Sequence, residues 1–277
     1  MPDLLKAALL GMVQGLTEFL PVSSTGHLVL LEDWLGVSQD RFGLTFDAAI
    51  HLGTLAAILV YFWPLVAALA VAWARSVRSL RWDARSDSRL AWLIVIGSAP
   101  AAVLGFLFED VVEDELREPV IVAVTLILFS GVLLLAERLG EKQRDATRLG
   151  VAGALFVGFA QAVALIPGVS RSGITISAGL FAKLKRQQAA LFAFLLSAPI
   201  IAGAGLKQLF DVVDELRGGL LDGEDLAFFL TGLALAAVTG YLTIRFLLAF
   251  LREHSLYPFV AYRVTLGVVI LLATPLT

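Results

Sequence analysis

The chain has 277 residues, of which 58% are hydrophobic and only 16% charged, and its mean hydropathy is +0.86. A soluble domain carries about 25% charged residues, so this composition excludes an ordinary soluble protein and indicates one that crosses a bilayer several times. The net charge of −3 carries little information by itself and suggests no nucleic-acid partner, and the lack of cysteine excludes disulfides and thiolate metal sites. His27, His51 and His254 are too few and too scattered for a histidine metal cage.

The N-terminal Met1-Pro-Asp-Leu-Leu-Lys6 has no basic leader region, and its apolar run meets polar residues instead of a small-residue cleavage site. The first segment is therefore expected to stay in the mature protein. A spanning helix needs roughly 20 largely apolar residues. Six stretches qualify: about 46–70, 91–108, 119–137, 188–209, 226–248 and 258–276. Two more, about 4–36 and 149–182, are apolar but interrupted by Leu20-Pro21 and by Ile166-Pro167-Gly168, which break helices. Broken backbone at membrane depth is tolerated only where protein or a watery cavity covers it. Both segments read as re-entrant helical hairpins, the plainer alternative being two kinked spans.

Loop charge alternates along the chain. Arg75, Arg78, Arg81, Arg85 and Arg89 precede an acidic loop holding Glu109, Asp110, Glu113, Asp114, Glu115 and Glu118, with Arg117 alone against them. Arg138, Lys142, Arg144, Arg148, Lys183, Lys185 and Arg186 are followed by acidic Asp211, Asp214, Glu215, Asp222, Glu224 and Asp225, then by Arg245, Arg252 and His254. The basic loops belong in the cytoplasm, which puts both termini outside and makes the hairpins enter from opposite faces. Gln14, Val22, Ser23, Thr25 and Gly26 recur as Gln161, Val169, Ser170, Ser172 and Gly173 at a constant offset of 147. The expected architecture is an all-α integral membrane protein: one domain over 1–277, built as an inverted-topology repeat. Residues 1–148 and 149–277 each contribute one hairpin and three of the six transmembrane helices. Broken helices in such repeats place a binding site near the midplane.

Gln14-Gly-Leu-Thr-Glu-Phe-Leu-Pro-Val-Ser-Ser-Thr-Gly-His27 gathers a carboxylate, four hydroxyls and an imidazole where hydrocarbon makes each expensive. Glu18 can ligate a divalent cation or act as a base, and His27 can give or take a proton. Ser23, Ser24 and Thr25 are candidates for a nucleophile or for phosphate donors. Singly, each has a plain structural role, as a helix cap or a satisfied hydrogen bond. The second break, Pro167-Gly-Val-Ser-Arg-Ser-Gly-Ile-Thr175, adds Arg171, which costs about 2.5 kcal/mol or more in an apolar segment. Its guanidinium fork suits phosphate, with hydroxyls from Ser170, Ser172 and Thr175 and tight turns at Gly168 and Gly173. Arg171 can equally pair with Glu18 to hold the hairpins together. His51 can face the site, but a helix-end hydrogen bond is the favoured role, and Gly/Ala-rich faces such as Ala202-Gly-Ala-Gly205 permit close packing and a homodimer.

Taken together, the Pro-Val-Ser-Ser-Thr-Gly-His27 and Pro167-Gly-x-Ser-Arg-Ser-Gly motifs, with Pro258-Phe-Val-Ala-Tyr-Arg263, resemble the bacterial undecaprenyl-diphosphate phosphatase family associated with bacitracin resistance. The resemblance runs over the whole chain. It implies a hydrolase of the bacterial inner membrane that removes one phosphate from undecaprenyl diphosphate on the outer face, recycling the lipid carrier for peptidoglycan. It also implies a divalent cation, Mg2+ or Ca2+. The family's essential glutamate, serine, histidine and arginine map to Glu18, Ser24, His27 and Arg171. Members often carry a second glutamate where this chain has Gln14, which can still ligate a metal through its carbonyl but cannot be a base. The Lys-x6-Arg-Pro signature of the acid-phosphatase-like lipid phosphatases is not found in the chain. An inverted repeat with opposed hairpins also suits a transporter, so a flippase of polyprenyl phosphate is the second class of function.

Overall fold

The computed structural model describes residues 3–37, 39–79, 87–115, 118–217 and 223–274. Arg81, Arg85, Arg117 and Asp222 of the loop-charge pattern lie outside them, as do the side chains of the other acidic residues between 109 and 115 and between 211 and 224. The described chain is helical: α1 Asp3–Phe19, α2 Ser24–Leu35, α3 Gln39–Tyr61, α4 Trp63–Ser79, α5 Asp87–Glu115, α6 Pro119–Leu139, α7 Val151–Val163, α8 Arg171–Phe181, α9 Arg186–Arg217, α10 Gly223–Glu253 and α11 Tyr257–Ala273. A single 3-10 turn, Ala146–Arg148, precedes α7.

Among the described residues, four helices are long and apolar enough to cross a membrane unbroken: Asp87–Phe108, Pro119–Leu139, Arg186–Gly205 and Asp225–Glu253. They coincide with four of the six expected spans. The span expected over about 46–70 is not one straight helix: the chain bends by 86° between Tyr61 and Trp63. Pro64 gives the reason, since it lacks an N–H and disfavours helical backbone at the residue before it. The last expected span is the 17-residue helix α11. Both interrupted segments are helix–break–helix units, α1 with α2 and α7 with α8.

Packing is dominated by α1 and α3 against α10, α5 against α7, α6 against α11, and α3 against α9. Glycines set the closest of these approaches. A Cβ at Gly11 of α1 would strike the carbonyl of Gly232, and a Cβ at Gly158 of α7 would strike that of Gly97. Gly11 and Gly158 are themselves 147 residues apart, so each half lays its broken helix against a long span by the same device. At one end, buried Glu137 of α6 takes a bidentate pair from Arg186 of α9 and lies 3.6 Å from Lys142 Nζ, which fixes the start of α9.

Because no side chain can shift to admit a methyl against backbone, Gly11→Val is expected to cost about 1–3 kcal/mol or more, read as a lower Tm in detergent. Gly131→Ala, whose Cβ would meet nothing within 4 Å, should leave Tm within about a degree or raise it slightly.

Candidate active site

The site is assembled where the two breaks meet, and each break is shaped by a strained serine. Ser23 has φ 71° and Ser170 has φ 72°, a left-handed conformation that costs of order 1–3 kcal/mol for a non-glycine residue. Each hydroxyl caps the helix that follows: Ser23 Oγ accepts from the N–H of Gly26 at 3.4 Å and Ser170 Oγ from that of Gly173 at 3.2 Å. The two serines are the offset-147 pair of the repeat. Gly168 turns the second break at φ +87°, where a Cβ would strike Thr125 and the carbonyl of Val122. The consequence is that α2 and α8 both begin at the breaks, with first-turn N–H groups that no helical carbonyl can satisfy. Such N-termini favour anions.

Glu18 sits buried one residue before the end of α1 and is the hub. Its Oε2 accepts from the Ser24 hydroxyl at 2.9 Å and from Gln14 Nε2 at 3.1 Å. Its Oε1 lies 3.7 Å from Arg171 NH2, reaching across to the second break. Arg171 NH1 is buried and has no hydrogen-bond partner, as is Gln14 Oε1. Ionic pairing of Arg171 with Glu18 is therefore real and incomplete: half of the guanidinium fork remains to bind something else. His51 enters from α3, with Nε2 3.9 Å from Glu18 Oε2 while Nδ1 donates to the Asp47 carbonyl at 2.7 Å. The expected helix hydrogen bond of His51 is present, and its other nitrogen faces the site as well.

Other sequence candidates divide differently from expectation. Ser172 donates to the carbonyl of Leu20 at 2.8 Å and lies 3.3 Å from the Ser170 hydroxyl, so these two tie the second break to the first. Thr175 donates to the Arg171 carbonyl at 2.7 Å within its own helix. Thr25 makes no side-chain hydrogen bond among the described residues and keeps its hydroxyl available. His27 makes no hydrogen bond or ion pair with Glu18 or Ser24: its Nδ1 donates to the Ser23 carbonyl at 2.7 Å, and its Nε2 meets Tyr262 Oη at 2.7 Å. The hydroxyl of Ser24 therefore donates to Glu18 and not to His27.

Arg263 was not singled out by the sequence reading except as part of a motif. It is 1% exposed on α11. Its donors reach the carbonyls of Pro21 at 3.4 Å, Gly168 at 3.2 Å, Val169 at 3.0 Å and Leu126 at 3.3 Å, and Ser130 Oγ at 3.1 Å. The same rule that flagged Arg171, a charge inside an apolar helix, would have found it.

Among the described residues, no group of three or more His, Asp or Glu side chains is placed to hold a metal. The donors that fit a cation are fewer: the Glu18 carboxylate and the unpartnered Gln14 carbonyl beside it. Magnesium is commonly held by one or two carboxylates together with substrate phosphates, which such a pair can supply.

These features define an α-helical membrane protein that brings Ser24, Glu18 and Arg171 together between two broken helices. The profile of the family described as bacitracin resistance protein BacA matches residues 7–269. A protein named undecaprenyl-diphosphatase from Rubrobacter xylanophilus is 48% identical over 270 residues, covering 98% of each chain. One of the same name from Thermomicrobium roseum is 45% identical over 274 residues, 96% of each, and undecaprenyl-diphosphatase 2 of Agrobacterium fabrum is 44% identical over 96% of this chain and 94% of its own. The chain belongs to the BacA family, and it is a multi-pass membrane protein.

Removing the guanidinium strands carbonyls on both breaks. Arg263→Met is expected to cost on the order of 3 kcal/mol, seen as a lower Tm in detergent, with Arg263→Lys recovering only part because one ammonium cannot span both breaks. An unchanged Tm for Arg263→Met would contradict this reading.

Proposed function

We propose that this protein is an intramembrane phosphatase that hydrolyses undecaprenyl diphosphate to undecaprenyl phosphate and inorganic phosphate, recycling the lipid carrier of cell-wall synthesis and so conferring bacitracin resistance. The observation that carries the reading is the half-free Arg171 fork set beside a Glu18 that already holds the Ser24 hydroxyl. The names of the relatives are hydrolase names, which favours phosphate removal over transport of the lipid phosphate.

Phosphoryl transfer needs positioning and charge stabilisation more than covalent chemistry. Arg171 NH1 and the free N–H groups at the starts of α2 and α8 take the terminal phosphate. Glu18 accepts the Ser24 proton as Oγ attacks phosphorus; the bond to the bridging oxygen breaks, and undecaprenyl phosphate leaves with that oxygen. Water then attacks the phosphoserine, releasing inorganic phosphate and returning the proton to Ser24. The rival route is direct attack by water on the diphosphate, with Ser24 only binding phosphate. A cation, Mg2+ or Ca2+, would be held by Glu18 and Gln14, where it would neutralise phosphate charge.

The site faces the outer side of the bacterial inner membrane, with both termini outside and six crossings plus two re-entrant hairpins forming an inverted repeat. The loop charges support this orientation, and the matched Ser23/Ser170 and Gly11/Gly158 geometries support the repeat. For the prenyl chain, α3 presents His51, Leu55 and Leu59 along one face at four-residue spacing. Leu55 and Leu59 line an apolar groove of about 330 Å³ with Leu69, Ile94, Leu195 and Pro199, which begins one helical turn from the site and suits a lipid tail.

Phosphate release from undecaprenyl diphosphate by the purified protein tests the proposal. Glu18→Gln and Arg171→Ala should each lose at least about a hundredfold in kcat with Tm retained; an Arg171→Ala protein that fails to fold would instead favour a purely structural ion pair. Labelled phosphate should be trapped on Ser24, and a Ser24→Ala protein with substantial turnover would overturn the covalent route.

A further inference from the structure

The proposed chemistry leaves His27 without a role, and with it the side chain that His27 meets: Tyr262, half exposed on α11 beside the buried Arg263. Its Oη lies 2.7 Å from His27 Nε2, and the two rings are stacked, 3° from parallel with centroids 5.6 Å apart. The far side of the imidazole settles the protons. Nδ1 faces the carbonyl of Ser23 at 2.7 Å, and a carbonyl can only accept, so Nδ1 carries the hydrogen. In the neutral ring Nε2 then holds a lone pair, and the Tyr262 hydroxyl donates to it. His27 is thus pinned at both nitrogens.

What it is pinned against is the strained turn. The Ser23 carbonyl belongs to the peptide plane that carries the Ser24 N–H, so the imidazole donates directly to the backbone unit that aims Ser24. The turn is left-handed at Ser23 and is held by few groups: the Gly26 N–H on the serine hydroxyl, His27 on its carbonyl, and Arg263 on the carbonyl of Pro21 two residues earlier. Tyr262 and Arg263 are consecutive, so the helix that clamps both breaks through Arg263 also presents the tyrosine at a fixed height.

We propose that Tyr262 is a positioning residue for phosphate transfer: its hydroxyl fixes the tautomer and ring plane of His27, which in turn holds the Ser23 carbonyl and orients Ser24 toward phosphorus. This role rests on the phosphatase reading. It gives His27 a function that needs no hydrogen bond to Ser24 or Glu18.

Tyr262→Phe deletes one oxygen from a half-exposed side chain, so Tm should match wild type. Its kcat on undecaprenyl diphosphate should fall about tenfold with KM within about twofold. In a His27→Gln background the same change should add nothing, because the ring through which it acts is gone. A second readout needs no turnover. The protein has only three histidines, so selective 15N labelling, with His27→Gln to assign its signal, reads the ring directly. Wild type should show the Nδ1–H tautomer with a hydrogen-bonded Nε2, and Tyr262→Phe should move the Nε2 resonance toward that of a free lone pair. Wild-type kcat in Tyr262→Phe, losses that multiply independently with those of His27→Gln, or an unmoved His27 resonance would each overturn the role while leaving the phosphatase reading intact. A wild-type protein that releases no phosphate overturns that reading, and the kinetic role with it, whatever the resonance shows.

Discussion

Everything at this site depends on one constraint: a helix cannot be interrupted in hydrocarbon unless the carbonyls it frees find donors. Arg263 supplies them. From a single buried position it serves Pro21 in the first break and Gly168 and Val169 in the second, as well as Leu126 of α6. A neutral side chain could satisfy one or two of these carbonyls. The guanidinium offers five N–H donors in a rigid fork, so it fixes the breaks relative to one another as well as individually. The distance between Glu18 on one break and Arg171 on the other follows from that clamp.

With the breaks held, the two helix N-termini and the two charged residues acquire their meaning. Glu18 and Arg171 alone would be an ordinary buried ion pair, of little net value to stability. The pair here is loose at 3.7 Å, with a guanidinium nitrogen unsatisfied and a serine hydroxyl already donating to the carboxylate. A structural pair would close these gaps. Leaving them open costs stability, and under the proposed function it leaves a place for an anion, beside the strained left-handed Ser23 and Ser170.

Much of this was legible from residue types. Proline and glycine located both breaks to within a few residues, and the scarcity of charge made Glu18, Ser24 and Arg171 conspicuous. Four of six spans follow from hydropathy alone. The stretch over about 46–70 is apolar as expected but bent at Pro64, because apolarity was counted without weighing a helix breaker inside the window. His51 was set aside as a helix-end residue, since nothing local distinguishes a histidine that only bonds its own helix from one whose second nitrogen faces a carboxylate on another. Ser170, Ser172 and Thr175 read as phosphate donors by residue type alone, and in the structure their hydroxyls meet the Gly173 N–H, the Leu20 carbonyl and the Arg171 carbonyl. Hydroxyl content is visible in a sequence; the partner each hydroxyl takes is not.

By itself, then, the sequence determined that the chain is helical and apolar, that it breaks twice, and that a carboxylate, a serine and an arginine occur at those breaks, because composition and backbone chemistry are local properties. Which nitrogen faces which oxygen was decided only by tertiary structure. Residues as far apart as Pro21, Gly168 and Arg263 become neighbours through helix packing, and no spacing along the chain encodes the direction in which a buried side chain finds its partner.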